Sequence, residues 1–213
     1  MAFLLKAERV ILADTFAYSR QSYMNRTRIR TPQGWQWLTV PVVGGQKGRP
    51  LCQVEVVDSA KWRRQHQRAL LYNYRSAPFY PYYEEHLHHF FYEQSWSTLG
   101  ELVIASIRWL LECLDWEGPG PEIASEKYPH ALSLETLIRA SETRELLTLP
   151  ESMDHDRAGG VAVRPASFKH PQYYQNFEGF VPGMSLLDCL FNYGPDTRYL
   201  LEQALTLEAA VDA

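Results

Sequence analysis

The sequence predicts an α/β fold: a single compact domain with N-terminal strands and a hairpin, followed by helices with short intervening strands. Three observations carry this expectation. Short apolar or alternating runs crowd the first third of the chain, runs with three-and-four spacing fill its middle and end, and brief β-like stretches recur between the later helices.

Arg9–Asp14 (RVILAD) is a short apolar run closed by an acid, which reads as a buried strand. Asn25–Arg30 alternates as NRTRIR, and Trp35–Val42 continues as WQWLTVPV. The intervening Thr31-Pro32-Gln33-Gly34 has Pro second and Gly fourth, the chemistry of a hairpin turn. A glycine-rich stretch then leads to Leu51–Val57 (LCQVEVV), read as a third strand. From Ser59 to Arg75 the period becomes helical, with Trp62, His66, Ala69, Leu70 and Asn73 on one face. Lys61, Arg63, Arg64, Arg68 and Arg75 lie mostly off that face.

A second helix is expected over Pro81–Glu93. A third, Thr98–Leu114, carries Leu99, Leu102, Val103, Ile107, Leu110, Leu111 and Leu114 at helical spacing, with Thr98 and Glu101 forming a capping box. Residues 116–130 hold four breakers and read as a mid-chain connection. A helix over Leu134–Glu145, strands at Leu146–Leu149 and Val161–Arg164, and helices near Leu186–Tyr193 and Pro195–Ala210 complete the expected order.

A length of 213 residues, with 46% hydrophobic and 22% charged residues, excludes a disordered or fibrous chain. No run reaches the length of a membrane span and the start does not resemble a signal peptide, so a cytoplasmic protein is expected. Cys52, Cys113 and Cys189 are odd in number and far apart, which suits neither a disulfide framework nor a zinc site. The charge is uneven. Residues 1–80 hold 13 Lys and Arg against 4 Asp and Glu, whereas residues 81–213 hold 8 against 21. Either the basic part meets an anionic partner or the two parts pack on each other.

Arg26, Arg28 and Arg30 alternate along a strand and emerge on one face, where their mutual repulsion favours an intervening anion such as phosphate. Trp35 and Trp37 share a face and offer a ring for stacking, or else belong to the core. Glu85, His86, His88 and His89 lack a third ligand at fixed spacing, so an amphipathic face is preferred to a metal site. No metal or cofactor is expected. Asp14 ends a strand, where ligands gather in α/β proteins, although capping a loop is an equal alternative. Asp188 follows Ser185 at capping-box spacing and is expected to cap its helix. Asn192 lies one turn further along the same face, so one of the two is also a candidate ligand contact.

The runs ADTFAYSRQSYMNRTRIRTPQGWQWLTVPV (13–42), WRRQHQRALLYNYRSAPFY (62–80) and HPQYYQNFEGFVPGMSLLDCLFNYGP (170–195) resemble the WbqC-like proteins of bacteria. The Asn-Arg, Gly-Trp-Gln-Trp-Leu-Thr-Val-Pro and Leu-Phe-Asn-x-Gly strings are the specific ones. The resemblance implies a place in O-antigen or other surface-glycan biosynthesis, with acyl or aminoacyl (glycyl) transfer to a nucleotide-linked amino sugar as the suggested reaction. Two departures stand out. A His-Gln-Pro-x-Tyr-x-Pro-Trp segment expected before the first run is not in this sequence, and a Ser-Gly-x-Gly-like loop is replaced by LTLPESMDHDRAGG.

On the enzyme reading, Arg26, Arg28 and Arg30 hold the diphosphate and an aromatic such as Trp35 carries a sugar ring. His170 is the base, Asp14 its orienter and Asn192 a donor to the developing oxyanion. Asn25, Tyr173 and Asp188 complete the expected ligand contacts. On the competing reading the chain is a non-catalytic module for an anionic ligand or acidic partner. No RNA-binding motif is recognisable, so a small anion such as a nucleotide sugar ranks above nucleic acid.

Overall fold

The computed structural model describes residues 1–148 and 161–209. After a short helix α1 (Ala2–Lys6), strand β1 (Ile11–Leu12) pairs in parallel with β4 (Glu122–Ile123), which is 110 residues away and opens directly into α5 (Ala124–Lys127). Strands β2 (Arg26–Thr31) and β3 (Gly34–Thr39) form the hairpin, in the register Arg26↔Thr39 to Thr31↔Gly34. Gly34 takes φ 128°, a conformation that favours glycine and lets the turn close in two residues. A third sheet joins β5 (Glu145–Thr148) in parallel to β6 (Ala162–Phe168), and β6 in antiparallel fashion to β7 (Leu205–Leu207).

The remaining elements are helical: α2 (Ala60–Tyr74), α3 (Tyr80–His88) continued by a π turn at His89–Glu93, α4 (Leu99–Cys113), α6 (Leu134–Ala140), α7 (Leu186–Tyr193) and α8 (Thr197–Ala204). The fold is α/β, but its strands are divided among three small sheets. The main core gathers Ile29 and Leu38 of the hairpin, Trp62, Leu70 and Tyr74 of α2, Leu99 and Leu102 of α4, and Phe191 of α7.

Local signals hold where the bonds they predict are local. Thr98 and Glu101 exchange the two bonds of a capping box. Trp62, His66, Leu70 and Asn73 are buried on one face of α2. His66 Nε2 meets the Thr39 carbonyl at 3.1 Å between the rings of Trp62 and Phe91, and burial lowers its pKa to about 4.

Several expectations are corrected, among them the helix expected over Leu134–Glu145, which ends at Ala140 so that Glu145 opens β5. Leu51–Val57 begins as a 3₁₀ turn (Leu51–Gln53), because its backbone amides are shared among several partners. Leu51 N–H donates to Phe16 O, Cys52 N–H to Asp14 O, and Leu99 N–H donates to Val54 O. The last helix stops at Ala204, after which β7 pairs with β6. Arg63 is buried, donating to the carbonyls of Phe91 and Gln94 at the end of the π turn while its guanidinium lies 5.2–5.3 Å from the Trp62 and Trp96 rings. A long aliphatic stem lets such a side chain cross a helix face to reach those acceptors. The sequence expected in place of a Ser-Gly-x-Gly loop lies, from 149 onward, outside the described residues.

Candidate functional site

The hairpin has two unlike faces because a strand alternates its side chains. One face sends Ile29 and Leu38 into the core. The other carries Arg26, Arg28 and Arg30 on β2 against Trp35 and Trp37 on β3. The Arg26 guanidinium lies 4.1 Å from the Trp37 ring, and that of Arg28 lies 4.3 Å from Trp35 and 4.9 Å from Trp37. Tyr23 meets Trp37 edge-on at 5.4 Å, as does Trp35. The result is an interleaved layer of cations and rings, with Trp35 42% exposed and Tyr23 64% exposed.

No carboxylate lies within ion-pair distance of Arg26 or Arg28 among the described residues. Arg26 donates to the Gln21 carbonyl. The Nε atoms of Arg26 and Arg28 are sealed against the layer with no hydrogen-bond acceptor, which leaves the outer guanidinium edges to meet an anion. Asn25 braces the hairpin's open end by donating to the Val40 carbonyl at 3.0 Å.

Arg30 shares the strand face but not the surroundings. It is 2% exposed because the segment before α7 folds over that end of the hairpin. Its Nε donates to Gln175 Oε1, one terminal nitrogen donates to Thr31 O and Gly34 O, and the other to Glu178 O at 2.6 Å and Gly179 O. Arg30 therefore locks the segment to the hairpin and, unlike Arg26 and Arg28, spends all three guanidinium nitrogens on protein acceptors.

The lock continues inward. Gln175 Nε2 donates to Val181 O and to Asp188 Oδ2, and its Oε1 accepts from Val181 N–H. Asp188 is fully buried and accepts from Tyr74 OH (2.8 Å), Tyr173 OH (2.7 Å) and Gln175. Burial raises its pKa above the usual aspartate value, while the three donors and the Arg30 charge pull it back. The helix cap expected of Asp188 is supplied instead by Ser185, whose hydroxyl accepts from Leu187 N–H. Asp188 spends its oxygens on tertiary donors because its face of α7 points at Tyr74, not at its own first turn. The network seals the phenols too: burial beside Asp188 raises the pKa values of Tyr74 and Tyr173.

The three residues expected to share catalysis share no hydrogen bond with one another among the described residues. Asp14 is buried and accepts from Ser125 N–H (2.8 Å) and Ser125 Oγ (2.5 Å) in the first turn of α5 across the β1–β4 pair, so its carboxylate serves a distant helix start and not its own loop. Asn192 is buried, donates from Nδ2 to Asp188 O one turn back, and leaves Oδ1 without a partner among the described residues. His170 is exposed at the end of β6, its ring edge-on to Phe168 at 4.8 Å. Sequence reasoning missed Gln175 and Tyr74 as the joints of the lock, since their partners lie 145 and 114 residues away and no local pattern marks them.

A model of the WbqC-like protein family matches residues 1–199. The chain belongs to this family. A relative, the uncharacterized protein Rv1507c of Mycobacterium tuberculosis, is 26% identical over 201 residues, spanning 89% of this chain and 85% of its own. No solved structure matches the chain. No helix among the described residues is long and apolar enough to cross a membrane.

Proposed function

We propose that this WbqC-like protein holds a small anionic ligand of the nucleotide-sugar class on the outer face of the β2–β3 hairpin, in the service of surface-glycan biosynthesis. The observation that carries the reading is the pair of guanidiniums on Arg26 and Arg28, stacked on indoles and without a carboxylate partner among the described residues. Two like charges at alternate strand positions sit about 7 Å apart and repel, and an anion between them removes that cost. The diphosphate binds the guanidinium edges, and the exposed Trp35 ring takes the base or sugar.

The reaction implied by the family setting is transfer of an acyl or aminoacyl group to the sugar's amine. His170 is an exposed imidazole available as base, whereas Asp14 and Asn192 are held by the structural bonds described above. The engagement of Asp14 and Asn192 in those bonds favours a second reading, a binding module that presents the ligand without transforming it. Calorimetric titration with a panel of nucleotide sugars tests the binding. Saturable binding lost in Arg28→Ala is the expected result, and no heat with any of them removes the proposal's support. Mass analysis of the sugar after incubation with acyl and aminoacyl donors separates the two readings.

A further inference from the structure

Helix α2 carries a second cationic surface, separate from the hairpin's stacked arginines. Lys61, Arg64, Arg68, Tyr72 and Arg75 follow one another at intervals of three and four, so they fall within about 80° of arc along about 21 Å of helix. All five are exposed, Tyr72 at 67%, and Leu71 beside them is 38% exposed. The opposite side of the same helix buries Trp62, His66, Leu70 and Asn73, so the stripe points directly away from the core. Its cations have no carboxylate within ion-pair distance among the described residues, and the helix itself contains no acid. The C-terminal end of the helix is anchored from behind, where Asn176 donates to Asn73 O and Ser76 Oγ.

We infer that this stripe docks the protein on an anionic lipid surface. A straight row of four cations matches a plane of phosphate headgroups, and the exposed phenol of Tyr72 with the adjacent Leu71 suits the boundary between headgroups and acyl chains. A nucleic acid would leave Leu71 unused. Against a net charge of −4 on the whole chain, this orientation presents an attractive face to such a surface. The inference is independent of the ligand proposed for the hairpin.

The test is sedimentation of the intact protein with vesicles of phosphatidylcholine alone or mixed with phosphatidylglycerol, at low and physiological salt. Binding is expected to require phosphatidylglycerol and to weaken with salt. The Arg64→Ala/Arg68→Ala variant should bind about 30-fold more weakly, the equivalent of about 1 kcal/mol per cation lost. Both substitutions are at exposed positions and alanine favours helix, so unchanged circular dichroism identifies a folded variant. Vesicle binding that survives this double substitution, or that is abolished by Arg26→Ala/Arg28→Ala instead, overturns the inference. So does tighter binding to a mixed-sequence oligonucleotide than to the anionic vesicles.

Discussion

Tyr74 and Asp188, 114 residues apart in the chain, share a fully buried 2.8 Å hydrogen bond that joins α2 to α7 beneath the candidate site. The same phenol oxygen accepts from Arg30 N–H at 2.8 Å, so a single hydroxyl ties α2, the hairpin and α7 together.

Removing that hydroxyl with Tyr74→Phe strands the buried Arg30 N–H and one lone pair of Asp188. A loss of about 1–3 kcal/mol is expected. Asp188→Ala should cost more, about 3–4 kcal/mol, because three donors lose their acceptor together. Urea unfolding of the two variants measures the order, and a smaller loss for Asp188→Ala contradicts the network described.

Arg28 and Arg30 lie on one strand face yet should behave in opposite ways. Arg28→Ala gives up stacking on indoles worth about 1 kcal/mol and is expected to reduce affinity for a nucleotide diphosphate at least tenfold. Arg30→Ala removes the donor shared by the Thr31, Gly34 and Glu178 carbonyls, together with a buried side chain, and should destabilise by about 3 kcal/mol or more. Paired calorimetric titration and thermal melts distinguish these outcomes.

His66 makes stability depend on pH. Its folded pKa of about 4 lies below the ordinary histidine value of 6.5, so the unfolded chain binds the extra proton between those values. Stability is therefore complete above pH 6.5 and falls as the pH drops toward 4, by about 2 kcal/mol between pH 7 and pH 5 from this residue. Urea midpoints across that range should show a shallower slope in His66→Phe than in the wild type.

Gly100 tests close packing against helix propensity. An alanine Cβ there would sit 2.8 Å from the Cys52 Cα and 3.1 Å from its amide nitrogen, both backbone atoms of the 3₁₀ turn that α4 packs on. Alanine gains about 1 kcal/mol of helix propensity, and the forced shift costs about 1–3 kcal/mol. The clash should win, lowering the melting temperature of Gly100→Ala by about 2–6 °C.

Much of the candidate site was legible in the chain's alternation. NRTRIR, the Pro-Gln turn and WQWLTV specified the hairpin, its register and the shared face of Arg26 and Arg28, because each rests on a two-residue period and a turn closed within a few residues. The fates of Asp14, Asp188 and Arg30 were not legible, since each polar group has several partners of equal chemistry and chain folding selects among them.

By itself the sequence determined the local elements: the hairpin, the Thr98 capping box, the buried face of α2 and the basic character of the first 80 residues. Only the tertiary structure decided which arginines are locked and which lie at the surface, that Ser185 and not Asp188 caps α7, and that Asp14 serves Ser125 across 111 residues. The reason is physical. Periodicity and capping are fixed by covalent spacing along the backbone, whereas a buried polar group takes whichever distant donor or acceptor the packing of apolar faces brings within about 3 Å.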